Sequence, residues 1–121
     1  MSVDIQYDQD VAVVSMQGKL MGGPETRLCG QALQNLIKKG VRKITIDMSG
    51  VDWLNSGGMG MLMAAYNRLR KEGGTLCLSG TTPGTRRLLT LTKLNTIFRC
   101  YDTAEQAIFS LHSGSGVTGT F

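Results

Sequence analysis

The sequence predicts an α/β protein built on a single mixed, mostly parallel sheet with about four helices, in the order ββαβαβαβα. Three observations point there. Stretches of period-two hydrophobicity alternate along the chain with stretches of helical period. Helix start and stop residues fall between them, with Pro24 and Pro83 as openers and Gly40 and Gly73-Gly74 as closers. Strands separated by helices then lie parallel, because each helix carries the chain back across the sheet.

Val3 to Tyr7 and Val11 to Met16 read as strands joined by the polar Asp8-Gln9-Asp10, which makes a hairpin. Gly23-Pro24 opens a helix whose apolar face is Cys29, Ala32, Leu33, Leu36 and Ile37, and Gly40 ends it. Lys43 to Asp47 alternates at period two. Val51-Asp52-Trp53-Leu54 leads out of it towards Ser56, where the period becomes helical. Met59, Leu62, Met63, Tyr66 and Leu69 form the stripe of a helix from about Ser56 to Glu72, with Met61 off the stripe, facing solvent or a partner. Thr75 to Ser79 is a strand, and Thr82-Pro83 caps a short helix through Leu88, Leu89 and Leu91. Ile97 to Tyr101 reads as the last strand. Thr103-Ala104-Glu105-Gln106 has capping-box form ahead of a final helix that buries Ala104, Ala107, Ile108 and Leu111. The domain is therefore read as residues 1–112, followed by a Ser/Gly/Thr-rich flexible tail over 113–121.

A chain of 121 residues, 41% hydrophobic and 18% charged, suits one ordinary folded domain with one core. Met1 to Asp8 lacks the cationic start and apolar core of a signal peptide, and no stretch is apolar enough to span a bilayer, so the expected location is cytoplasmic. Cys29, Cys77 and Cys100 are odd in number and lack CxxC spacing, which predicts reduced, mostly buried thiols and no metal site. The net charge of +4 is spread over pairs such as Lys38-Lys39 and Arg70-Lys71 that follow helix ends, where cations complement the dipole. No recognition-helix or aromatic strand motif accompanies it, so direct nucleic-acid binding is not expected. A Gly-rich phosphate loop ending in Gly-Lys-Ser/Thr is missing too, and no cofactor is called for.

Ser56 stands where a strand hands over to a helix, so its hydroxyl can cap the N–H groups of Gly58 or Met59. Gly57, Gly58 and Gly60 exceed what a cap requires and weaken a helix, which points to something approaching closely. Bare backbone at a helix N-terminus also suits a phosphate. An enzymatic reading finds little support. His112, the sole histidine, falls at the end of the last helix beside the tail, a poor position for a general base. Asn55-Ser56-Gly57-Gly58 also lacks the spacing of a nucleophile elbow.

Asp47-Met48-Ser49-Gly50-Val51-Asp52-Trp53-Leu54-Asn55-Ser56-Gly57-Gly58-Met59-Gly60 resembles the signature of STAS domains, usually written D-L-S-x-V-x-F-x-D-S-S-G-L-G. Pro83, Arg87-Leu88-Leu89, Leu91, Leu94, Phe98, Tyr101 and Ala104 to Ala107 are similar to that family's last helix-strand-helix segment. The family contains the bacterial anti-sigma factor antagonists. The resemblance implies a protein that binds an anti-sigma factor with serine kinase activity, is switched off by phosphorylation of Ser56 and is reset by a phosphatase. It implies a monomer or weak homodimer, without membrane insertion or catalysis of its own. The partner surface it implies comprises Trp53, Asn55, Ser56, Gly57, Gly58 and Met59, with Leu20, Met21, Gly22 and Gly23 beside them. Asn55 replaces the family's aspartate, Gly57 its second serine, and Met21-Gly22-Gly23 an acidic-polar loop. The change at Asn55 keeps a second reading open, a STAS-type scaffold or transporter accessory subunit without phosphoregulation.

Overall fold

The elements follow the expected order: β1 (Ser2–Asp8), β2 (Val11–Leu20), α1 (Pro24–Lys38), β3 (Lys43–Leu54), α2 (Ser56–Lys71), β4 (Thr75–Ser79), α3 (Pro83–Leu91), β5 (Cys100–Tyr101) and α4 (Ala104–His112). A single 3-10 turn, Leu94–Thr96, precedes β5. These come from a computed structural model that describes residues 2–113; beyond Ser113, the expected tail lies outside the described residues. The strands pair in chain order, β1-β2-β3-β4-β5. The β1–β2 hairpin is antiparallel and the three later pairings are parallel.

Alternation sorts the sheet into two faces. Ala12, Val14 and Met16 of β2, Ile44 and Ile46 of β3, and Leu76 and Leu78 of β4 meet Cys29, Leu33, Leu36 and Ile37 of α1 and Leu62, Ala65 and Leu69 of α2 in the main core. On this face α1 lies over β1 and β2, and α2 over β3 and β4. The opposite face is covered by α4, whose Ala107 and Leu111 pack on Val11 and Cys77. Two hydroxyls are buried there. Thr45 Oγ1 donates to Ser79 Oγ at 3.0 Å, and Ser79 Oγ donates to the Ile46 carbonyl at 3.4 Å, which removes the cost of burying them unpaired.

Several boundaries differ from those the periodicity suggests. β2 runs on to Leu20, and β3 is one strand of 12 residues. Register shifts between Ser15 and Gln17 and between Gly18 and Lys19 each leave β3 with one extra residue, which is a β-bulge. The bulges bring Met48, Val51 and Leu54 inward at every third position in place of every second. Gly50 lets the first bulge form, since a Cβ there would stand 2.8 Å from Gln17 Cγ. The expected strand from Ile97 shrinks to Cys100–Tyr101, because Leu94–Thr96 coils and turns Phe98 into the main core. Phe98 and Tyr66 meet there in a T-shaped contact, with ring centroids 5.2 Å apart. In α2 the buried line is Gly58, Leu62, Ala65 and Leu69. Met59, Met63 and Tyr66 flank it on one side, partly buried. Met61 lies on the other flank and packs towards α1, where a Cβ on Gly30 would come within 3.1 Å of its Cγ, so it is only partly exposed.

Candidate functional site

The parallel strands β2 and β3 end side by side, Leu20 opposite Leu54, with both side chains buried. From Leu20 the chain turns through Met21, Gly22 and Gly23 into α1. From Leu54 it passes through Asn55 into α2. Backbone and side-chain hydrogen bonds tie these two turns together. Asn55 donates its backbone N–H to the Leu20 carbonyl at 3.2 Å and its Nδ2 to the Met21 carbonyl at 3.0 Å. Gly22, at φ +89°, donates its N–H to the buried Thr26 Oγ1 at 2.9 Å, which closes the first turn on α1.

The helix cap is Asn55 and not Ser56, a correction to the sequence reading. Asn55 is extended, and its Oδ1 accepts the N–H groups of Gly57 at 2.9 Å and Gly58 at 3.2 Å. A capping side chain comes from the extended residue before the first helical one. Ser56 is that first helical residue, and it is exposed. Of the four orphan donors of an N-terminus, three have named acceptors: Asn55 N–H on Leu20, and Gly57 and Gly58 N–H on Asn55 Oδ1. Only the Ser56 N–H finds no protein acceptor among the described residues. The turn is therefore not the open anion cradle its glycines suggest.

The same glycines have an internal cause. A Cβ on Gly57 would stand 2.6 Å from Gly22 Cα, and one on Gly58 would stand 2.4 Å from the Leu20 carbonyl oxygen. The close approach is between the two turns of this chain. Gly60 has open space around it.

What reaches the surface is Ser56 and Gly57, with Met21 and Trp53 each about half exposed at the same end of the sheet. Gly22 is exposed, Gly23, Asn55 and Met59 are half-buried, and Leu20 and Gly58 are buried beneath them. The structure thus brings together all ten residues named from sequence, but two of them only as internal support.

Among the described residues no histidine, carboxylate or thiolate is placed to activate Ser56. His112 is held at the far end of the sheet, Nε2 2.8 Å from Asp8 Oδ1 and Nδ1 3.6 Å from Asp10 Oδ1. Lys43 Nζ, 3.2 Å from Asp10 Oδ2, belongs to the same cluster and holds the Asp10 carboxyl below its ordinary range. Lys43 begins β3 and Ser56 follows its end, so about 30–40 Å of strand separates histidine from serine. The thiols are equally remote from reactivity. Burial pushes Cys77 up to about 11, and Cys29 and Cys100 are raised for the same reason, so none is a ready thiolate. Among the described residues no group of three or more His, Cys, Asp or Glu is placed to hold a metal ion, and no helix is long and apolar enough to cross a membrane.

Residues 2–107 match the STAS domain family. An anti-sigma F factor antagonist of Paenibacillus polymyxa is 20% identical over 111 residues, 92% of this chain and 95% of that protein. The crystal structure of an anti-sigma factor antagonist from Mycobacterium paratuberculosis is similar with a TM-score of 0.81 at 29% identity, covering 92% of this chain and 93% of that one. The Bacillus protein SpoIIAA, an anti-sigma factor antagonist solved unphosphorylated and phosphorylated, shares the fold with a TM-score of 0.72 at 16% identity in both forms. Its two structures cover 93% and 91% of this chain and 99% of their own.

Proposed function

Because this chain belongs to the STAS domain family, we propose that it is an anti-sigma factor antagonist whose surface around Ser56 binds an anti-sigma factor and loses it on phosphorylation. One observation carries the reading: Ser56 is exposed, is not used as the helix cap, and shares its end of the sheet with the half-exposed Met21 and Trp53. A hydroxyl that holds no structural post can be modified without unfolding the helix.

The unmodified surface is small, neutral and partly apolar, suited to close packing by a partner. A phosphate on Ser56 adds about 1.5 to 2 negative charges. The Gly57 and Gly58 N–H groups are already bound to Asn55, so the added charge keeps its water and is costly to bury at an interface. Folding is spared, since the charge sits at the positive end of the α2 dipole, worth about 0.3–1 kcal/mol. The partner is then an anti-sigma factor with serine kinase activity, a phosphatase restores the binding form, and this chain is the substrate of both and catalyses neither step.

The test uses the anti-sigma factor that copurifies with the chain, with and without ATP, and mass spectrometry of Ser56. Ser56→Ala should bind it persistently in the presence of ATP. Ser56→Asp should stay folded and bind at least about tenfold more weakly, a loss of about 1.4 kcal/mol. Equal affinities for Ser56→Asp and the parent chain would sink the switch. ATP-independent binding with Ser56 unmodified would instead favour the scaffold reading.

A further inference from the structure

Beyond that reading, we infer that the free edge of β1 joins two copies of this chain into a dimer with one continuous ten-stranded sheet, β1 against β1 antiparallel. β1 is a seven-residue edge strand in unbroken register with β2 from Ser2 to Asp8. Natural edges are often guarded by charged side chains, proline or a bulge. Ser2–Asp8 has no lysine, proline or bulge, and its two charges, Asp4 and Asp8, would stand opposite the uncharged Gln6 and Ser2 of a second copy. Its outward backbone groups therefore form a template for pairing.

The sequence of the edge is complementary to itself. With a two-fold axis at Ile5, Ile5 faces Ile5 of the second copy, Val3 faces Tyr7, and Asp4 faces Gln6. Apolar residues thus meet apolar ones and no like charges stand directly opposite, the pairing that stabilises an antiparallel ladder. Ile5 is 37% exposed and Tyr7 55% exposed, so both have apolar surface left to bury.

The helix layer fits the same operation. α2 lies on the side of α1 that carries Gly30 and Gln34, since Gly30 abuts Met61 and Gln34 Oε1 accepts from Arg68 Nη1 at 3.0 Å. At 100° per residue the other flank of α1, above β1, carries Leu28 and Ala32. Leu28 is 55% exposed. With α1 over β1 and β2 in each copy, the two α1 helices would lie two strand spacings apart, about 10 Å. That is the distance at which helices pack, and it matches two strand spacings between α1 and α2 within one copy, although the two α1 helices would run antiparallel. The Ser56 ends would point in opposite directions, leaving both open to partners.

Sedimentation velocity of the full chain across a concentration series should show a monomer–dimer equilibrium. Ile5→Lys, which sets like charges face to face on the axis, should weaken it at least about tenfold. Cysteine pairing fixes the register independently of that variant. With oxidised glutathione, Ile5→Cys should close an intermolecular disulfide, its Cβ atoms being about 5 Å apart across the axis. Tyr7→Cys should not, because its two copies lie about 13 Å apart along the strands. A chain that stays monomeric throughout, a dimer indifferent to Ile5→Lys, or crosslinking equal at both positions would overturn the proposal.

Discussion

Replacing Asn55 by alanine should be far more damaging than replacing Ser56, although serine is the more conspicuous residue at the junction. Asn55→Ala removes a cap that serves two N–H groups, worth about 1–2 kcal/mol. It also removes the Nδ2 bond to the Met21 carbonyl, worth about 1 kcal/mol. The loss is then about 2–3 kcal/mol. For a domain of this size each kcal/mol moves the melting temperature by about 4 °C, so Asn55→Ala should melt about 8–12 °C lower. Ser56→Ala gives up no cap and gains helix propensity, so it should stay within about 2 °C. Asn55→Asp keeps a capping oxygen and adds a favourable charge at the helix N-terminus, but it sets a carboxylate against the Met21 carbonyl, and should fall between the two. Far-UV circular dichroism melts of the three variants decide the matter. If Ser56→Ala loses as much as Asn55→Ala, the cap has been misplaced by one residue.

The glycines of α2 should separate cleanly: Gly58→Ala drives a Cβ into the Leu20 carbonyl and should cost about 2–3 kcal/mol, while Gly60→Ala meets open space and should add about 0.5–1 kcal/mol, both read from chemical denaturation. Trp53→Ala removes a half-exposed side chain, so it should weaken anti-sigma factor binding about tenfold or more while shifting the melt by only a few degrees; unchanged affinity would move the interface elsewhere. Cys77 has a folded-state value near 11 against an ordinary 9.0, so the folded chain holds its proton more tightly than the unfolded one. That contribution is complete below pH 9 and is lost as the pH rises to about 11, so stability should decline over that interval, and more gently in Cys77→Ala.

The order of strands and helices was legible because each element carries its own period and its own end signals. β3 was not legible in full. Burial of Met48, Val51 and Leu54 at every third position fits neither a strand nor a helix template, and only the bulges opposite β2 make sense of it. Phe98 misled in the other direction, since a β-prone residue between Ile97 and Tyr101 reads as strand until the preceding turn aims it at Tyr66. In α2 the true buried line begins at Gly58, a residue that no hydrophobic pattern can register. At the site, adjacent Asn55 and Ser56 are both favoured caps, and which one serves depends on the Met21 carbonyl, contributed by a turn more than thirty residues earlier in the chain. The glycine cluster correctly announced a close contact, but composition could not say that the visitor was Gly22 of the same chain.

The hydrogen bonds that lock Asn55 to Leu20 and Met21 also have a thermodynamic meaning for association. A free loop would surrender about 1–2 kcal/mol of backbone entropy per residue when a partner ordered it. Here Met21, Gly22 and Gly23 are fixed between the end of β2, the α2 cap and the side chain of Thr26, so that ordering is completed during folding. A partner docking beside Ser56 would meet a backbone already in its final shape, so the cost of association would be confined to lost overall motion and side-chain freedom, with no loop-ordering entropy added to it.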